Sequence, residues 1–146
     1  MNVSVLGASN KPERYSYRAV KLLVEKRHAV FPVHPAISEI DGIPVFKRLE
    51  DISDSIHTIT VYVVPECSAV LSNAILSARP RRVIFNPGAE NPNLTQRLKD
   101  DGVEVVNACT LVMLKTGQFD DISISGLDNE TFGNKKISAK DITQAV

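Results

Sequence analysis

The chain has 146 residues, enough for one domain with a substantial buried core. Lys plus Arg balances Asp plus Glu at 17 each, so no bulk field draws the protein to nucleic acid or to an anionic membrane. No apolar run nears the roughly 18 residues of a membrane span, and Met1-Asn2 leads straight into a strand-like run rather than a secretory leader. Cys67 and Cys109 stand apart, without a C-x-x-C pattern, and read as reduced thiols, so a cytoplasmic protein is expected.

Val3, Val5 and Leu6 open a first strand. Tyr15–Lys26 follows as a helix, with Ala19, Val20, Leu23 and Val24 on one stripe and Ser16 placed to cap its start. Ala29–Val33 is a second strand, stopped by His34-Pro35. An irregular stretch from Ala36 to Pro44 holds the turn signal Asp41-Gly42, and Leu49–Ile52 suits a short helical turn.

Thr58–Val64 is a third strand, apolar enough to be covered on both faces. Cys67–Ala78 reads as a helix with Ala69, Val70, Ala74 and Ile75 inward. Arg82–Phe85 is a fourth strand, Asn93–Asp101 a helix ended by Gly102, and Val103–Val106 a fifth strand. Alternation of strand and helix predicts an α/β fold: a Rossmann-like, doubly wound parallel sheet of about five strands in the order 3-2-1-4-5. Residues 1–114 form that domain. Residues 115–146 are more polar and are expected as an appendage, with apolar pairs Ile122/Ile124 and Ile137/Ile142 and a helix start at Ser138-x-x-Asp141.

Ligands of such sheets bind outside the carboxyl ends of the strands. After the first strand comes Gly7-Ala8-Ser9-Asn10, which serves either as a plain turn or as an anion cradle in front of a helix. The second and third glycines of G-x-G-x-x-G are missing; Lys11, Pro12, Glu13 and Arg14 stand there instead. After the second strand an NAD site wants an acid for the ribose hydroxyls, but the chain has Val33-His34-Pro35. His34, Lys11 and Arg14 would give a basic rim suited to a nucleotide with an extra ribose phosphate. Solvated loop charges and a strand-end histidine remain the plain alternative. Val63, Val64 and Pro65 offer an apolar edge for adenine, and Asn86–Glu90 a turn where a pantetheine-like arm would leave. No metal-ligand cluster and no nucleophile–base pair is visible, so no catalytic or metal-binding residue is assigned.

The set G-A-S-x-K-P-x-R-x-S-Y-R, P-V-H-P, V-P, N-P-G-A-E and N-A-C-T-L-V-M-L, in this order at the strand ends, resembles the stand-alone CoA-binding proteins. These are related to the nucleotide-binding domain of the succinyl-CoA synthetase α subunit. The resemblance spans Asn2 to Leu114 and implies a fold that holds CoA or acyl-CoA along the strand ends. It implies that Gly7, Ala8, Ser9 and Asn10 cradle the diphosphate, with Lys11, Arg14 and Ser16 near the phosphates. His34 and Pro35 would lie near the adenosine, and Val64 and Pro65 beside adenine. Asn86, Pro87, Gly88 and Glu90 would line the exit toward the thiol. His34 stands where the family commonly has Asn. The Lys-Lys of the synthetase domain is absent, so either Lys11 or Arg14 supplies its charge or affinity is low. The expected function is CoA binding without catalysis, the small-molecule nucleotide being the partner. The alternatives are a detached acyl-CoA synthetase subunit that needs an ATP-grasp partner, and an NADP-binding switch. A homo-oligomer stays open.

Overall fold

The computed structural model describes residues 1–120. In chain order the elements are β1 (Asn2–Leu6), α1 (Tyr15–Glu25), β2 (Ala29–Val33), β3 (Glu39–Ile40) and β4 (Ile43–Pro44). A 3-10 turn at Leu49–Asp51 precedes β5 (Thr58–Val61), α2 (Pro65–Val70), α3 (Ser72–Ser77) and β6 (Arg82–Phe85). Then come α4 (Pro92–Asp100), β7 (Glu104–Asn107) and α5 (Thr110–Thr116). Five strands form one parallel sheet in the order β2-β1-β5-β6-β7.

The α/β doubly wound class is as expected, but the strand order is not. Counted among the five main strands, the observed order is 2-1-3-4-5, not 3-2-1-4-5. The cause lies in the connection between β2 and β5. Instead of a crossover helix, the chain makes the β3–β4 hairpin, turned at Asp41-Gly42 with both residues at positive φ. Phe46 then bonds along the free edge of β2: its N–H donates to Pro32 O at 2.9 Å, and its carbonyl accepts from His34 N–H at 2.9 Å. That edge is closed to another strand. Pro32 itself, without an N–H, suits an edge strand and not an interior one. The next main strand, β5, pairs on the other side of β1.

The core follows from this winding. On one face Val3, Val5 and Ile84 pack with Val20 and Leu23 of α1, Met113 and Leu114 of α5, and Ile40 of the hairpin. On the other, Leu6, Ile59, Val61, Val83 and Phe85 pack with Leu49, Ile56, Ile75, Leu94 and Leu98. All four residues of β5 are buried, as a central parallel strand covered on both sides requires.

Three local expectations are corrected. Ser16 does not cap α1: Arg14 is the N-cap residue, without a side-chain cap, and Ser16 is buried inside the first turn. The helix expected over Cys67–Ala78 breaks at Leu71. Its buried positions are Ser68, Ser72 and Ile75, while Val70 is 84% exposed. Ser72 Oγ donates to the carbonyls of Ala69 (2.8 Å) and Ser68 (3.1 Å), a back-bonding that bends helices. Asn91 Nδ2 donates to Ser68 Oγ at 2.9 Å, which selects the serine face as the inner one. β5 ends at Val61, leaving Tyr62–Val64 as a loop.

The folded body continues past Leu114. α5 runs to Thr116 and Phe119 is only 1% exposed. The expectations for Ile122/Ile124, Ile137/Ile142 and Ser138-x-x-Asp141 lie outside the described residues. Among those described, no helix is long and apolar enough to cross a membrane.

Candidate functional site

In this winding the crossovers leave β1 and β5 in opposite directions, so the crevice opens between their carboxyl ends. A cavity of about 620 Å³ lies there. Gly7 to Lys11 form one wall, and Arg14 and Ser16 bring in the start of α1. His34 enters from the end of β2 and Pro87 from the end of β6. Nine of the fifteen residues named from sequence therefore meet at one cavity. Val63, read from sequence as part of an apolar edge, lines it too, and Tyr15, Ile37 and Tyr62 complete the lining without having been foreseen.

The other six lie elsewhere. Pro35 and Val64 are exposed outside the cavity, and Pro65 is the first residue of α2. Asn86 is buried with its amide engaged inside the protein. Nδ2 donates to Thr60 Oγ1 (2.7 Å) and Val61 O (2.9 Å), and Oδ1 accepts from Thr110 N–H at 2.8 Å. It ties β5, β6 and α5 together under the cavity. Gly88 N–H donates to the Glu90 carboxylate at 2.8 Å, which closes the loop on itself.

The Gly7 turn has a different logic from the one its sequence suggests. Gly7 sits at φ +89°, and a Cβ there would meet Val63 Cγ1 at 2.7 Å. The glycine is required by its own backbone angle and by the loop after β5. The N–H groups of Gly7 and Ala8 both donate to Val33 O at 3.1 Å. Open donors start one residue later. Among the described residues no backbone acceptor engages the N–H of Ser9 or Asn10, nor those of Tyr15, Ser16 and Tyr17 in the first turn of α1. These groups, with the positive end of α1, make the anion-receptive part of the wall.

Charge reinforces this. The lining contains Lys11 and Arg14 and no carboxylate. Among the described residues no ion pair engages either cation. His34 Nδ1 accepts from Ala36 N–H at 3.0 Å, so in the neutral ring Nε2 carries the proton and is a donor. Tyr62 is the contrasting feature. Its hydroxyl is buried without a partner, and burial pushes its pKa well above the ordinary tyrosine range. The hairpin beside the cavity is held to α1 by Asp41, which accepts from Tyr17 Oη and from Lys21 Nζ, the latter at 3.0 Å. These two bonds keep the Asp41 carboxyl below the usual range.

The chain is 25% identical over 104 residues to "Uncharacterized protein YneT" of Bacillus subtilis, covering 71% of this chain and 77% of that one. A crystal structure of an uncharacterized protein is 38% identical, with a TM-score of 0.77, and covers 81% of this chain and 97% of its own. A dinucleotide-forming acetyl-coenzyme A synthetase of Ca. Korarchaeum cryptofilum shares the fold, with a TM-score of 0.64 at 18% identity. It aligns with 73% of this chain, which spans 25% of the synthetase. Residues 1–115 match the CoA binding domain family over most of the chain, and the protein belongs to that family.

Proposed function

We propose that the cavity between β1 and β5 binds CoA or an acyl-CoA, and that the protein binds this ligand without transforming it. The observation that carries the reading is the lining itself: two cations, a run of open backbone donors, a histidine presenting N–H, and no acid. Such a wall favours a polyanion. An NAD site places a carboxylate at the end of the second strand to accept from ribose hydroxyls, and this cavity has His34 there. CoA carries a ribose 3′-phosphate besides its diphosphate, which gives Lys11, Arg14 and His34 something to hold. The lining offers donors rather than a nucleophile paired with a base, which supports binding over catalysis.

Calorimetry with CoA, 3′-dephospho-CoA, NAD and NADP tests the reading. CoA should bind tightest. Loss of the 3′-phosphate, or replacement of both Lys11 and Arg14 by Ala, should weaken binding about ten-fold or more, the worth of one charge-assisted contact. Equal affinity for CoA and its dephospho form would remove the role given to the rim. Tightest binding of NADP would replace CoA with that dinucleotide.

A further inference from the structure

We propose that the Tyr15 ring is the stacking surface for the adenine of the bound nucleotide, with Arg18 supporting the ring from behind; this rests on the CoA reading above. Tyr15 is the first residue of α1 and lines the cavity, yet is 42% exposed. The helix sets Arg18 three residues on, on the same side. Its guanidinium carbon lies 5.8 Å from the Tyr15 ring centroid. Arg18 thus sits over the ring, and the residue's exposure leaves Tyr15 surface open to a ligand in the cavity it lines.

The position of the base is set by covalent structure. In CoA the 3′-phosphate and adenine sit on one ribose. If Lys11, Arg14 and His34 hold that phosphate, the base lies within a ribose's reach of them. Besides the His34 imidazole, which this reading gives to the phosphate, the lining holds two tyrosine rings. Tyr62 buries its hydroxyl and packs against the cluster of Ala19, Cys109, Leu111 and Val112. Tyr15 comes directly after Arg14 and keeps an open ring. Of the apolar edge expected beside adenine, Val63 lines the cavity and can flank the base, while Val64 and Pro65 do not line it. A flat base laid on Tyr15 would cover an otherwise wet aromatic surface and complete a stack of guanidinium, phenol and adenine.

The test compares the unaltered protein, Tyr15→Ala and Tyr15→Phe, titrated with CoA and with CoA carrying fluorescent ethenoadenine. Tyr15→Ala should lose about ten-fold in affinity, the range of base–aromatic stacking. At saturation the ethenoadenine emission, quenched by stacking, should rise in Tyr15→Ala. Tyr15→Phe should match the unaltered protein in both readouts. If either change is missing in Tyr15→Ala, the stacking proposal is overturned while the CoA reading stands. If the unaltered protein does not bind CoA at all, that reading fails and takes the proposal with it.

Discussion

Gly7 and Val63 are so close that a methyl group on Gly7 would lie 2.7 Å from Val63 Cγ1 and 3.3 Å from the carbonyl carbon of Tyr62. The turn after β1 is therefore built against the loop after β5, the two sides of the crevice. Gly7→Ala should cost about 1–2 kcal/mol for the left-handed backbone and a further ~1–3 kcal/mol for overpacking. Gly7→Ala combined with Val63→Ala should recover part of the second cost and none of the first. Urea melts of the single and double variants measure both. Full recovery would show that φ +89° is not enforced in solution.

Tyr62 predicts an effect of opposite sign. Its hydroxyl is buried without a hydrogen bond of ordinary geometry, beside the Thr60 and Thr110 hydroxyls, which lie 2.7 Å apart and bond to each other. Removing an unsatisfied buried group relieves a desolvation cost of about 1–3 kcal/mol. Tyr62→Phe should leave the melting temperature unchanged or raise it. A loss of more than about 1 kcal/mol would reveal a partner for the hydroxyl.

Arg82 is 2% exposed and has no carboxylate within ion-pair distance among the described residues. Its guanidinium donates to Phe119 O at 2.9 Å and Thr58 Oγ1 at 3.2 Å, and its carbon lies 4.5 Å from the Phe119 ring centroid. Burial lowers its pKa. The residue latches the chain beyond α5 to the sheet. Arg82→Ala should cost about 3 kcal/mol, leaving a cavity and an unpaired carbonyl. Arg82→Met fills the space without a charge to desolvate and should cost clearly less. Equal losses in thermal melts would place the latch in the hydrogen bonds alone.

The pH dependence has a definite sign. Burial holds His28 and His57 below the ordinary histidine value, with the N-terminal ammonium adding to the effect at His28 and Arg82 at His57. The unfolded chain then binds more protons than the folded one as pH drops through the unfolded value of about 6.5. Stability should be fully present above that value and decline below it. Melting temperatures between about pH 8 and pH 5 check this. Replacing both histidines with Gln should flatten the decline.

The fold and the crevice were largely legible, because strand ends announce themselves through Gly7, His34-Pro35 and Asn86-Pro87-Gly88. Strand order was less so. No local pattern states on which side of β1 the third main strand will pair, although Pro32 carried the clue that β2 is an edge. Val64 and Pro65 were placed in the site because Thr58–Val64 is β-prone throughout. The strand in fact stops at Val61, so that of the expected edge only Val63 reaches the cavity, together with Tyr62. Asn86 looked like a ligand group because a polar residue at a strand end can face either way; only the contacts with Thr60 and Thr110 show that it faces inward. Ile37 reaches the cavity through an irregular loop whose path no periodicity encodes.

Asp41 reaches back over some twenty residues to grip Tyr17 and Lys21 on successive turns of α1. The length of the hairpin is thereby tied to the register of a helix it does not adjoin in sequence. One residue inserted at Asp41-Gly42 would swing the carboxylate off both anchors at once. Relatives that differ in the size of this loop must then re-moor it by other side chains, and these are the places where the mouth of the crevice is free to diverge.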